Sequence, residues 1–188
     1  MIMKNFNKML FVFVLVMAIV SCEKANLDDE LSEKRTDYTG NELRTDGYYY
    51  EKYLCTNNEG VLQDDGIIPM FLYRNGVATY GYVHHYSELE QAEERFKNGD
   101  FYKSMKNDRF RWRVFHVYGN IIEFEGQDDV GYGDEYVIFK DRGEIIDDTT
   151  FILKESIVDE KVTEYALECI YHFKQFAPKP DSTNNFIK

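Results

Sequence analysis

Arg109-Phe110-Arg111-Trp112-Arg113-Val114-Phe115-His116-Val117-Tyr118, then Gly119-Asn120, then Ile121-Ile122-Glu123-Phe124-Glu125-Gly126, is the stretch on which the fold turns. Arginine alternates with Phe110, Trp112 and Val114, and a period of two marks a strand that buries one face. A turn signal joins it to a second β-rich run, so the two read as an antiparallel pair. Loop length sets their register, and a slip of one residue exchanges the faces. A two-residue loop opposes Val114 to Glu125 and His116 to Glu123. A three-residue loop, Tyr118–Asn120, opposes Val114 to Phe124 and Arg113 to Glu125, so each face is consistent. That register is the one expected.

The same pattern extends in both directions. Upstream, Tyr48–Thr56 is a first strand. Ile67–Arg74 then meets Val77–His85 across Asn75-Gly76, the strongest short-range hairpin signal. A two-residue loop there pairs Phe71 with Tyr80 and Tyr73 with Ala78. Downstream, Glu135–Lys140 returns as Glu144–Leu153 across Asp141-Arg142-Gly143, with Lys140 facing Glu144. Glu164–Phe176 is the last strand, with Tyr165, Leu167, Cys169, Tyr171 and Phe173 on one face. Ser87–Lys97 interrupts the strands with a helical pattern opened by the capping box Ser87-Glu88-Leu89-Glu90. Asp100–Asn107 adds a second helical turn. The insertion lies on the surface or plugs one end.

About eight strands in chain order, with no βαβ unit, predict an all-β fold: an antiparallel meander closed into a barrel, or folded into a two-sheet sandwich. The interior of such a barrel is either packed or holds one small ligand. Size and strand count make residues 46–176 resemble a lipocalin-like domain, although Gly47-Tyr48-Tyr49 stands where lipocalins carry Gly-x-Trp. Residues 177–188 read as a trailing tail, whose Lys179–Asn184 resembles the tails of Bacteroidota lipoproteins.

Met1–Cys22 says where the protein sits. Lys4 and Lys8 precede the apolar run Leu10–Val20, which is too short to span a bilayer and has the build of a secretory signal. Ile19-Val20-Ser21-Cys22 resembles the lipobox of bacterial lipoproteins. The resemblance implies cleavage after residue 21, acyl chains on Cys22 and anchoring at the cell envelope, in the outer membrane. Residues 22–45 are polar and charged, and read as a flexible tether. Its scattered acids resemble the surface-export signals of Bacteroidota lipoproteins. The formal charge of −12 becomes −14 once Lys4 and Lys8 leave with the leader, which disfavours nucleic acid as a partner.

Chemistry-bearing constellations are few. His84 and His85 point to opposite faces of a strand, and no Cys or His spacing matches a zinc motif, so no metal or cofactor is expected. Asp128–Glu135 is acidic, but without the alternation of a calcium loop it reads as a solvated hairpin loop. Asp147-Asp148 would serve acid–base chemistry only in a cleft with raised pKa values; the simpler expectation is a bulge facing water, and a non-enzyme. With Cys22 acylated, Cys55 and Cys169 remain, and closure of the meander brings their strands together for a possible disulfide. The chain has 14 Phe, 15 Tyr and 1 Trp. Trp112, Val114, Phe124 and Leu167, with Tyr80 and Tyr82, are the candidate ligand-binding residues. The function expected is binding of a small lipophilic or glycan-derived molecule. The alternative is an interaction module with a packed core that docks onto another envelope protein.

Overall fold

In a computed structural model, residues 31–56, 62–81, 83–84, 89–129 and 136–188 are described, with side chains except at 53–56, 62–65, 83–84 and 166–168. The strands are β1 (Gly47–Thr56), β2 (Leu62–Leu72), β3 (Val77–Tyr80), the two-residue β4 (Val83–His84), β5 (Trp112–Tyr118), β6 (Ile121–Asp129), β7 (Tyr136–Asp147), β8 (Thr150–Val158) and β9 (Lys161–Gln175). Between β4 and β5 lie helices α1 (Leu89–Asn98) and α2 (Asp100–Met105). All pairings are antiparallel, in the order β1-β9-β8-β7-β6-β5-β3-β2, and β1–β2 pairing closes the ring. The expected eight-stranded meander barrel is therefore the fold, and β4 adds a short extra rung on β2.

Three hairpins differ from the sequence reading. Met70 faces Tyr80 and Leu72 faces Ala78, so the β2–β3 loop has three residues, Arg74–Gly76. Only Gly76 takes positive φ there, at 76°, as the third position of a bulged three-residue loop requires. Conversely, Tyr118 faces Ile121 and Phe115 faces Phe124, which is the two-residue loop across Gly119-Asn120. Trp112 and Val114 therefore point outward, opposite in sense to Phe115 and Phe124. The third expected hairpin does not exist. β7 runs straight through Asp141-Arg142-Gly143 and turns at Asp148-Thr149 instead. There Asp147 Oδ1 accepts hydrogen bonds from Thr149 N (2.8 Å) and Thr149 Oγ1 (2.7 Å). Arg142 bridges Glu123 and Glu155 on the outer wall at 2.6 and 2.9 Å. A Cβ on Gly143 would lie 2.2 Å from the Ile152 carbonyl oxygen, so glycine here serves close strand approach rather than a turn.

Two apolar layers result. The interior cluster draws on Tyr49, Met70, Leu72, Ala78, Tyr80, Phe115, Ile122, Phe124, Phe151, Leu153 and Tyr171. The second cluster lies outside the wall, where Tyr48, Phe71, Val77, Trp112 and Val114 are covered by Ala92, Phe96 and Phe101 from the helices. Phe96 sits edge-on to Phe71 at 5.1 Å and to Phe101 at 4.7 Å. Trp112 Nε1 donates to the Met105 carbonyl at 2.9 Å, and Tyr48 Oη donates to Glu93 at 2.7 Å. The helices are thus a surface layer on the barrel's side, not a plug; the capping box falls largely outside the described residues.

The plug comes from the chain expected to be a tether. Tyr38 and Leu43 are buried in the interior cluster, at the end of the barrel that carries the β2–β3, β5–β6 and β7–β8 turns. Tyr38 N donates to Arg74 O at 2.8 Å, and Arg44 N donates to Asp148 O at 3.1 Å. From Leu31 onward this segment is packed, because three apolar anchors suffice to dock a short polar stretch. The C-terminal tail is also docked rather than trailing. Phe176 and Ile187 are buried, and Lys179 Nζ donates to the Thr45 and Leu72 carbonyls at 2.7 and 2.6 Å.

Candidate ligand-binding cavity

Tyr38, Leu43 and the Phe115, Phe124 and Phe151 rings fill the plugged half of the barrel; Phe124 lies 6.2 Å from Phe115 and 5.8 Å from Phe151. Beyond them the interior changes character. A cavity of about 300 Å³ opens among Glu51, Ile68, Tyr80, Arg113, Asp141, Leu153, Tyr165, Cys169 and Tyr171. Strand alternation explains this lining. Arg113 shares the inward face of β5 with Phe115, and Asp141 lies directly across from Phe124 on β7. Glu51 follows Tyr49 at a spacing of two on β1, and Cys169 and Tyr171 do the same on β9.

The cavity holds a buried ion pair. Arg113 Nη1 lies 3.0 Å from Asp141 Oδ2, with the side chains only 11% and 6% exposed. The guanidinium is sandwiched between Tyr80 (4.0 Å to the ring centre) and Phe139 (4.5 Å). Gly126 leaves the room this requires, since a Cβ there would come within 2.9 Å of Arg113 Cγ. Tyr165 Oη donates to Asp141 Oδ1 at 2.8 Å. Burial works against the charge on Arg113, but Tyr80 and Asp141 outweigh it and hold the group above its ordinary pKa.

A second polar set adjoins the pair. Burial raises the Glu51 carboxyl above the usual range, opposed by hydrogen bonds from Cys169 and Tyr171. Burial, with Glu51 adding to it, pushes the Cys169 thiol up to about 12. Tyr165 and Tyr171 are raised in the same way, by burial first. The wall therefore offers a guanidinium paired with a carboxylate, a second carboxyl raised by burial, and phenol and thiol groups. Such a set can hydrogen-bond to an oxygen-bearing group.

Of the candidates named from sequence, Tyr80 lines the cavity and Phe124 belongs to the packed floor. Trp112 and Val114 lie in the outer layer beneath the helices, which corrects their expected inward orientation. Tyr82 and the side chain of Leu167 lie outside the described residues. Cys169 is a thiol rather than a half-cystine, and the Cys55 side chain lies outside the described residues. Arg113, Asp141 and Glu51 were missed: Arg113 through the wrong register, and Asp141 through its resemblance to a turn residue. Asp147 sits exposed at the β7–β8 turn, where hydrogen bonds from Thr149 hold its carboxyl below the usual range, so the raised pKa required for acid–base work is not found there. Among the described residues, no three His, Cys, Asp or Glu side chains converge as a metal site, and no helix is long and apolar enough to cross a membrane. The chain matches no known protein-family profile, no curated protein and no solved structure.

Proposed function

We propose that this protein is a lipid-anchored cell-envelope protein, acylated at Cys22, that binds a small lipophilic or glycan-derived molecule inside its barrel. The observation that carries the reading is the divided interior. One half is filled by aromatic rings, while the other retains about 300 Å³ around an ion pair and a ring of polar groups. A barrel serving only as a rigid docking module gains nothing from this arrangement. A buried ion pair is weak support for stability, because desolvation offsets most of its attraction. Ligand pockets, by contrast, combine apolar walls with a few placed polar groups.

The shape narrows the ligand. The aromatic floor and the Tyr38–Leu43 plug close off the barrel's length, so a long acyl chain has no channel to follow. The volume is at the lower end for ligand pockets and corresponds to about ten water molecules. A compact, oxygen-bearing molecule of roughly monosaccharide size therefore fits better than an extended lipid.

Native mass spectrometry of the Glu23–Lys188 chain, secreted to a periplasm and purified gently, is the test. A bound small mass that is released on denaturation, and lost in Asp141→Leu/Arg113→Met, supports the reading. Ligand-free protein that also fails to retain any member of a panel of envelope glycans and lipids overturns it, in favour of the packed interaction module.

A further inference from the structure

We infer that the anchor holds the barrel with its cavity-bearing end toward the bilayer and its plugged end away from it. This rests on the proposal that Cys22 is acylated. The orientation follows from how the chain between Cys22 and the barrel is tied down.

The plugged end is fixed by Tyr38 and Leu43, and Thr36 lies beside the β2–β3 turn, its carbonyl 2.0 Å from where a Cβ on Gly76 would be. Going backward along the chain, Thr36 Oγ1 meets His116 Nδ1 at 3.3 Å. The next contacts are further along the wall. The Glu125 carboxylate is 4% exposed as a residue and accepts from Ser32 N (3.1 Å), Ser32 Oγ (2.7 Å) and Glu33 N (2.7 Å). Lys140 pairs with Glu33 at 3.2 Å. Leu31 is 3% exposed within the outer apolar cluster. His116 faces Glu123, two residues before Glu125 on β6, so the segment climbs from the plugged end toward the cavity end as it runs back to Leu31. The strap thus leaves the barrel heading toward the cavity-bearing end.

Length decides what the remaining chain permits. Nine residue steps separate Cys22 from Leu31, a reach of at most about 32 Å. The cavity end lies only about 10 Å beyond the level of Leu31, in the direction the strap already runs. Bringing the plugged end to the membrane requires a reversal and about 20 Å of that reach along the wall. The chain from Cys22 onward carries a net −14, so it has no overall electrostatic attraction to anionic headgroups that would compete with the direction of the strap. A cavity facing the bilayer across a short spacer takes ligand from the membrane surface or from molecules moving along it.

The test uses the full acylated protein in phosphatidylcholine vesicles. A donor dye is attached through azidophenylalanine in place of Asp148, at the plugged end, or of Lys161, at the cavity end, with an acceptor on the lipid headgroups. Vesicle flotation is scored first, and failure to float removes the anchor itself and the orientation with it. With the protein floating, transfer from position 161 should exceed that from position 148 by roughly twofold or more, given the ~30 Å between the two turns. Glu125→Ala combined with Leu31→Ser and Lys140→Ala, which removes the carboxylate contacts, the apolar anchor and the Glu33 pair of the strap and leaves the barrel interior untouched, should bring the two values together. Equal or reversed transfer in the unmodified strap overturns the inference, as does a difference that survives this triple change.

Discussion

Removing the carboxylate of Asp141 is the sharpest probe of whether the cavity's ion pair serves binding or stability. Asp141→Ala leaves the Arg113 guanidinium buried between Tyr80 and Phe139 with its counter-charge gone. Breaking a buried pair in this way costs about 3–5 kcal/mol. Tyr165 also loses the acceptor it reaches at 2.8 Å, which adds about 1 kcal/mol. The sum, roughly 5 kcal/mol, lowers the melting temperature of a domain this size by roughly 10–20 °C. Asp141→Asn keeps an acceptor for Tyr165 and should fall less. Replacing both partners, Arg113→Met with Asp141→Leu, removes the desolvation penalty along with the attraction and should melt near the parent. Near-UV circular dichroism during heating of the Glu23–Lys188 chain gives all four values. Asp141→Ala melting within about 2 °C of the parent would refute the claim of a buried, tightly coupled pair. A double variant that is stable but retains no ligand assigns the pair to binding.

Four further outcomes follow from the geometry. Gly143→Ala should cost more than about 3 kcal/mol or prevent folding, because its Cβ would sit 2.2 Å from the Ile152 carbonyl, a backbone atom that cannot swing away. Gly99→Ala, at φ 81° with open space around it, should cost only about 1–2 kcal/mol, both variants being measured by urea titration. Trp112, the single tryptophan, lies under the helices and should keep its emission when a ligand enters the barrel, but shift to the red in Phe96→Ala as that cover loosens. Lys179 is pulled down to about 8 by burial, so between there and the unfolded value near 10.4 the unfolded chain binds more protons. The urea midpoint relative to Lys179→Met should therefore rise with pH from 8 to 9.5; a flat difference would show that the ammonium is not buried.

The closed meander was legible because strand alternation and turn spacing are local properties of the chain. Register was not. β5 has apolar side chains on both faces, Trp112 and Val114 on one, Phe115 and Val117 on the other, because helices cover its outside. With two apolar faces, alternation no longer says which is inside, and the three-residue loop is the one that suits the wrong face. Asp141-Arg142-Gly143 failed for a related reason. Asp141 and Gly143 have turn-like chemistry, yet all three residues are held in a continuous strand by distant partners: Arg113, the Glu123 and Glu155 pair, and the β8 backbone. The real turns at Asp148-Thr149 and Asp159-Glu160 have no glycine, and the second takes positive φ at both positions, 50° and 64°, with Glu160 where glycine usually advertises it.

These failures coincide with the site, and the coincidence has a physical cause. A pattern reading assigns every charged residue on a strand to solvent, since burial without a partner is costly. Arg113 pairs with Asp141 only across β5 and β7, and Glu51 on β1 meets Cys169 and Tyr171 only across to β9, so their compensation is invisible along any one stretch. The outer helical layer then supplies enough apolar residues on the opposite faces to make the outward assignment look consistent. In a barrel covered on its outside, the strand positions that break the apparent alternation are therefore the ones to suspect of lining a polar cavity. Here that criterion selects Arg113 and Asp141 as a pair once the Phe115–Phe124 register is fixed, and no cofactor-like motif was needed to find them.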